Sequence, residues 1–540
     1  MLHARRLRHL PLLALAAGLG ATGACTAAGS AARSAARQVR DAIPAGPRTH
    51  ADVLAFIDSL HAIGAAREAM ILDTLGRSTE GRVLPLVIAS RPAVRTPEEA
   101  RASGRPIVWV QGNIHAGEVE GKEAVQAVLR DLVLARWPNA LDSVVLVAVP
   151  IYNADGNEKL ASQSRNRREQ NGPERVGERA NGQGLDLNRD YIKAEAPETR
   201  ASLAAFRAWD PDVFVDLHTT NGSYHGYALT YAPPLHPSAP LGMYARDSML
   251  PVLRERMRKR HGFETFDYGD FISEDTLSKG WATFDSRPRF GTNYYGLRGK
   301  ISFLSEAFSH DPFEKRIAST YAFTREILSL VAERAATIRQ RVSEASRRPA
   351  TEVALRSTFA AAPDSQEVIA ETLQKTGDTL RSAPGVRRGY RRTGIFKTVR
   401  MPVYERFKPT LLRSLPEAYL IAAGDTATAA KLRLHGIRID NLGAGSLPRV
   451  ATFHIDSIAK ASRVFQGHNE VRLAGRWSDW EQGATGNGLL LVPTDQPLGL
   501  LAAYLLEPES DDGLTTWNHF DSIIRQGGLF PVRRATGIHK

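Results

Sequence analysis

Ile107-Val108-Trp109-Val110-Gln111-Gly112-Asn113-Ile114-His115-Ala116-Gly117-Glu118 is the stretch on which the reading of this chain turns. The apolar run 107–110 reads as a buried strand. A glycine-bracketed turn follows and carries an imidazole and a carboxylate three residues apart. Behind the turn, 121–135 forms an amphipathic helical pattern, with Ala124, Val125, Val128, Leu129, Leu132 and Val133 on its apolar side. Strand, turn and helix together predict one unit of an α/β layered fold. A turn at the C-terminal end of a strand aims side chains into one crevice. A catalytic zinc takes three protein ligands, often two His and one Glu, and keeps a fourth position open. Alone, a His-x-x-Glu pair is a weak signal, because Glu is also favoured near a helix N-terminus by the macrodipole.

The same pattern recurs. Val213-Phe214-Val215-Asp216-Leu217 is an apolar run that ends at His218, so His218 occupies the strand-exit position that His115 occupies and is the natural third ligand. Between them lies Gly184-Leu185-Asp186-Leu187-Asn188-Arg189-Asp190-Tyr191. An Asn-Arg pair supplies an amide and a fixed guanidinium fork, a receptor suited to a carboxylate. Asp186 can hold an imidazole ligand through its other nitrogen. A third candidate strand, 300–305, ends at Glu306, a carboxylate placed to act as general base on water activated by a metal.

In this order, His115-x-x-Glu118, Asn188-Arg189, His218 and Glu306 resemble the zinc metallocarboxypeptidases, the carboxypeptidase A-like funnelins. Leu75-Gly76-Arg77-Ser78-Thr79-Glu80-Gly81-Arg82 is similar to the opening motif of that family. The resemblance covers roughly residues 50–345. It implies one zinc ion (Zn2+) on His115, Glu118 and His218, with Asp186 behind the ligands and Glu306 as general base. It implies that Asn188 and Arg189 receive the substrate's terminal carboxylate. It also implies an arginine that stabilises the oxyanion, expected at Arg167, with Arg165 and Arg168 as neighbours. The chain departs from the family at the substrate-capping tyrosine, for which Tyr294 and Tyr295 are the nearest residues before Glu306. The implied activity is removal of C-terminal residues from peptides. Two alternatives share the ligand set: deacylation of N-acylamino acids, as in the desuccinylase and aspartoacylase branch, and cleavage of peptidoglycan stem peptides.

The composition fits such an enzyme. The chain has 540 residues, 43% hydrophobic and 24% charged, with a net charge of +12. That charge is partly terminal, since residues 1–40 hold six arginines and no carboxylate. No concentrated basic stripe follows, so nucleic acid is not an expected partner. Arg5, Arg6 and Arg8 before the apolar stretch 10–19 read as a signal peptide over 1–24. Cys25 is the single cysteine, which excludes an intrachain disulfide and a thiolate zinc cluster. Ala21-Thr22-Gly23-Ala24-Cys25 resembles a lipobox, so lipidation at Cys25 and anchoring of an exported protein to a bacterial membrane are expected.

The pattern along the chain predicts a flexible tether over 25–45 and a catalytic domain over 46–345. The catalytic domain is expected to be a mixed, mostly parallel twisted sheet flanked by helices. Its strands are expected at 84–89, 106–111, 144–149, 212–217, 226–231 and 300–305. Its helices are expected at 51–60, 118–135, 197–208, 239–260 and 313–342. The segment 150–190 reads as a loop that walls the site. A linker over 346–365 and a smaller α+β accessory domain over 366–540 complete the expected layout, with strands at 416–421 and 488–492 and a helix at 497–506.

Overall fold

The structure is a computed structural model and describes residues 46–136, 140–347, 350–377, 389–442, 448–483 and 488–538. The signal peptide, the tether and Cys25 therefore lie outside the described residues. Among the described residues, no helix is long and apolar enough to cross a membrane.

The first part of the chain, the expected catalytic half, is built in chain order from α1 (His50–His61), β1 (Met70–Arg77), β2 (Val83–Ala89), β3 (Ile107–Gly112), α2 (Glu120–Val133), β4 (Val145–Val149), α3 (Pro197–Trp209), β5 (Val213–Thr219), β6 (Leu229–Ala232), α4 (Leu250–His261), β7 (Thr265–Asp267), α5 (Gly291–Leu297), β8 (Ile301–Ala307), α6 (Phe313–Glu333) and α7 (Ala335–Arg347). The strands form one eight-stranded sheet in the order β1-β2-β4-β3-β5-β8-β6-β7. Its centre, β4-β3-β5-β8, is parallel. The pairs β1-β2, β2-β4 and β6-β8 are antiparallel. Every residue of β3, β5 and β8 is buried, as expected for parallel strands covered on both faces.

The register places the chemistry. Ile301 pairs with Val213, and the two strands stay in step until Glu306 stands opposite His218. On the other side of β5, Gly112 at the exit of β3 stands opposite Leu217. A Cβ at Gly112 would lie 2.8 Å from the carbonyl carbon of Gly121. The missing side chain therefore lets α2 start directly against the strand end, which brings the turn 113–118 over β5.

Helix α2 falls within the amphipathic pattern expected over 121–135, and all of its residues are buried, those of its polar side included. Its polar side is covered and paired. Arg48 bonds Glu123, Lys122 donates to Asn157 at 2.5 Å, and Arg316 of α6 reaches Glu120 at 3.3 Å. The helix expected at 239–260 is also interrupted. A turn of π-helix at Ala245–Met249 precedes α4, whose Pro251 has no N–H to continue an earlier helix. Likewise 313–342 breaks at Arg334 (φ −109°, ψ 21°) into α6 and α7.

The region expected as a linker is not one. It contains the nine-residue β9 (Glu352–Ala360), paired with β12 (Arg406–Ser414), while β10 (Gln366–Lys375) pairs with β11 (Tyr390–Met401). Val353, Ala354 and Leu355 are buried, and this short apolar run between arginine- and proline-rich flanks was too brief to outweigh them in the sequence. Further on come β13 (Ala418–Ala422), α8 (Thr426–Leu434), β14 (Arg449–Ala451), β15 (Phe453–Lys460), β16 (Val471–Trp477), β17 (Leu489–Pro493), α9 (Gly499–Leu506) and β18 (Arg533–Thr536). The expected strands at 416–421 and 488–492 and the helix at 497–506 correspond to β13, β17 and α9. One apolar core runs without interruption from Val53 through Trp109 and Ile327 to Tyr504 and Val532. The C-terminal region is thus fused to the catalytic half rather than tethered beside it.

Candidate metal centre and substrate cavity

The turn after β3 begins with Asn113 in the left-handed region (φ 67°) and reverses the chain so that His115 and Glu118 face β5. At Gly117, a Cβ would meet the Arg167 side chain at 2.7 Å, so the turn closes only over glycine. His115, Glu118 and His218 are all buried, and a ligand atom of each lies within 4.8 Å of the others. His115 Nδ1 is 3.0 Å from Glu118 Oε1, and His218 Nδ1 is 3.0 Å from Glu118 Oε2. The two Nδ1 atoms are 3.2 Å apart.

The far nitrogens explain this arrangement. His115 Nε2 donates to Asp186 Oδ1 at 3.0 Å, and His218 Nε2 lies 3.0 Å from Asp216 Oδ2 as an ion pair. A carboxylate beside each Nε2 draws the proton to that nitrogen and leaves each Nδ1 with its lone pair directed inward. Two imidazole lone pairs and a carboxylate then converge with no donor of their own among them. Such a set fits a cation, and its composition is that of a catalytic zinc site. The electrostatics agree. Burial would raise the Glu118 carboxyl, but His115 and Arg167 hold it well below its ordinary range. Burial would likewise raise Asp186, but His115 and Arg179 keep it ionised. Burial opposes charge on His218, yet Asp216 and Glu118 draw a positive charge to it and raise it well above its ordinary value. The site pulls positive charge inward.

In front of this set lies a cavity of about 150 Å³. His115, Glu118, Asn188, Arg189, His218 and Glu306 all line it, so the structure brings six of the eight expected residues to one surface. Glu306 is buried, and its Oε2 has no hydrogen-bond partner. Burial first, and then the like charge of Glu118, push its carboxyl up to about 8. Asn188 Oδ1 accepts from the Gly291 N–H at 2.9 Å, which turns its amide nitrogen to 3.5 Å from His218. The Arg189 guanidinium is stacked 4.0 Å from the Phe290 ring.

The other two expected residues stand behind this surface. Asp186 buttresses His115. Arg167 does not line the cavity. Its Nη2 donates to the carbonyls of Thr219 (3.0 Å) and Thr220 (2.8 Å), and its Nη1 to Glu118 at 3.1 Å. Its fork is consumed in holding the exit of β5. The arginine that faces the cavity from this loop is Arg179, which bonds Asp186 Oδ2 at 2.9 Å and Glu118 Oε1 at 3.2 Å. A signal for it was present, since Arg179 opens the glycine-flanked loop that ends at Asp186-Leu187-Asn188-Arg189. Tyr294 and Tyr295 are fully buried in an aromatic cluster with Tyr191 and Phe206 and do not reach the cavity. The tyrosine that lines it is Tyr268, whose hydroxyl accepts from Asn221 Nδ2 at 2.6 Å. The remaining wall is Thr219, Asn221, Phe284, Asp285, Phe290, Thr292 and Leu304. Asp285 is neutralised by Arg287.

Residues 56–236 match the family model described as zinc carboxypeptidase. Over that segment the chain is similar to the zinc carboxypeptidases, and the ligand set and cavity just described fit that class. Carboxypeptidase 2 of Trichophyton rubrum is 22% identical over 493 residues, covering 85% of this chain and 81% of that protein. The probable carboxypeptidase 2 of Trichophyton verrucosum is 23% identical over 419 residues, covering 72% of each. A metallo-carboxypeptidase structure from Burkholderia cenocepacia has a TM-score of 0.40 and 20% identity, covering 54% of this chain and 70% of that one.

Proposed function

We propose that this enzyme removes single residues from the free C-terminus of peptides, with a preference for apolar or aromatic terminal side chains. The observation that carries this reading is the position of Asn188 and Arg189 on the cavity that holds His115, Glu118 and His218. A guanidinium stays charged and receives a carboxylate through two parallel hydrogen bonds. A clamp at this place sets the last peptide bond, and no other, beside the ligand set. Phe284, Phe290, Leu304 and Tyr268 offer an apolar wall to the terminal side chain, and Asp285 is already satisfied by Arg287.

His115, Glu118 and His218 would hold one zinc ion, which when bound polarises the scissile carbonyl and acidifies water. Glu306 takes a proton from the attacking water and returns it to the leaving amine. Arg179 faces the place where negative charge develops on the carbonyl oxygen. Asp186 and Asp216 keep both imidazoles in the ligating tautomer. Tyr268 and Phe290 close the cavity around the substrate.

The test is a hydrolysis series of free-acid peptides, their C-terminal amides, N-acylamino acids and wall stem peptides. Free-acid peptides ending in Phe or Leu should be cleaved best, and amides should be poor. Arg189→Met removes a charged partner worth ~1.5–3 kcal/mol and should lower kcat/KM by roughly ten- to a hundred-fold, with zinc content unchanged. Equal cleavage of amides and free acids would rule out the clamp.

We also read the protein as exported, from the basic and apolar segment 1–24, with Cys25 as its acylated anchor. Cys25→Ser should then move the enzyme from the membrane to the soluble fraction. An unmodified N-terminus downstream of Cys25 in the mature protein would dismiss the anchor.

A further inference from the structure

The C-terminal region carries one side chain to the back of the metal centre. Phe465-Gln466-Gly467-His468 is a two-residue hairpin turn, in which the Phe465 N–H donates to His468 O at 2.7 Å and the His468 N–H returns to Phe465 O at 3.0 Å. Both central residues have positive φ, 51° at Gln466 and 81° at Gly467. A turn with two such residues ordinarily takes Asn, Asp or Gly at its first central position. Gln is a poor occupant of the left-handed region, and a non-glycine residue held there points to a constraint elsewhere. The constraint is visible. Gln466 Oε1 accepts the backbone N–H of Asp186 at 2.8 Å, across 280 residues of sequence. Asn or Asp would relax the turn but is one methylene shorter.

Asp186 is the residue whose carboxylate accepts from His115 Nε2 at 3.0 Å through one oxygen and from Arg179 Nε at 2.9 Å through the other. Its backbone position therefore sets the direction of a metal ligand and of the cavity arginine together. The turn is itself held at its C-terminal end by two contacts. His468 Nε2 pairs with Glu195 at 3.0 Å, and Glu470 accepts from Arg289 Nη1 at 2.7 Å.

We propose that Gln466 is a positioning residue for the metal centre, acting through the Asp186 backbone on His115 and Arg179. The proposal rests on the reading of His115 as a zinc ligand. On this view the C-terminal region completes the metal centre that the preceding 345 residues begin.

The test uses the full-length, zinc-loaded enzyme and follows zinc transfer to a chromogenic chelator, kcat and KM on a free-acid peptide, and the thermal midpoint. Gln466→Asn and Gln466→Gly suit the turn but lose the reach, whereas Gln466→Glu keeps the reach and an acceptor. Partners that hold a metal ligand directly are worth 10–100-fold in metal affinity or activity, so one step further out about three- to tenfold is expected. Zinc release should quicken by that factor in the Asn and Gly variants. Their kcat should fall with KM little changed, while the thermal midpoint holds or rises. The Glu variant should stay near the wild type. Wild-type zinc release and kcat in Gln466→Asn and Gln466→Gly would overturn the proposal, as would equal losses in Gln466→Glu. His218→Ala separates the two readings, because full zinc content in that variant would refute the metal assignment itself.

Discussion

In the proposed mechanism Glu306 is the residue on which the chemistry depends most directly. Its Oε2 is buried without a partner at the edge of the ligand set, and burial raises its carboxyl to about 8. A divalent cation held by His115, Glu118 and His218 would lower that value, leaving Glu306 available as a carboxylate near neutral pH. Glu306→Gln keeps the shape and loses the acceptor. Its zinc content should match the wild type, while turnover falls by ~10²–10⁴-fold or more, the range of a general base. Turnover close to wild type in that variant would assign the proton to another group. Six cavity residues were legible in the sequence because each stands at a strand exit or in a short motif beside one. Asp216 was passed over although it lies two residues before His218, where the period of a strand puts both on one face. Arg179 and Tyr268 belong to segments whose course is set by tertiary contacts. The local composition around 165–168 offered a denser arginine cluster and drew the assignment to Arg167.

At the scale of elements, the strands at the centre of the sheet were legible because they are continuous apolar runs, whereas the three-residue β7, though parallel to β6, was too short to show one. The edge strand β1 (Met70–Arg77), half-exposed and bulged at Thr74–Gly76, carries no such run and went unread. The hairpin 465–468 was equally silent, because a Gln-Gly turn flanked by polar residues looks like any loop. Its clamp to the catalytic half should nevertheless register in stability. The hydrogen bond to Glu195 raises His468 above its ordinary value against the opposing effect of burial, and burial of Glu195 is outweighed by the same contact. A raised histidine stabilises fully below its unfolded pKa of about 6.5 and loses that contribution as pH rises through the folded value. Glu195, lowered, must also be ionised, which sets the lower bound near its unfolded pKa of about 4.3. His468→Gln should therefore cost up to about 1 kcal/mol near pH 5.5 and much less at pH 8.5, as for a partly exposed pair. Denaturant midpoints at the two pH values measure this, and an equal deficit at both would exclude an ionic contribution.

At the scale of the molecule, the catalytic half and the C-terminal region share one core. Leu501, Leu505 and Leu506 of α9 are 0% exposed, and Tyr504 packs edge-on to His236 with ring centroids 5.1 Å apart. Each fully buried leucine contributes about 1.5–3 kcal/mol, while whole domains are stable by only ~5–15 kcal/mol. A chain cut after residue 345 should thus give no cooperative thermal transition and should bind a hydrophobic dye. A sharp transition in that fragment would establish that the catalytic half folds alone. The sequence suggested a separable accessory domain because arginine- and proline-rich flanks resemble a tether, and shared burial leaves no mark in composition. One consequence lies in biosynthesis. Strand β18 (Arg533–Thr536) lies between β13 and β14 and hydrogen-bonds to both. That sheet cannot close until residues 533–536 have left the ribosome, long after His115, Glu118 and His218 have emerged. The core that the two regions share is therefore completed only after synthesis ends, and not while the chain is still emerging.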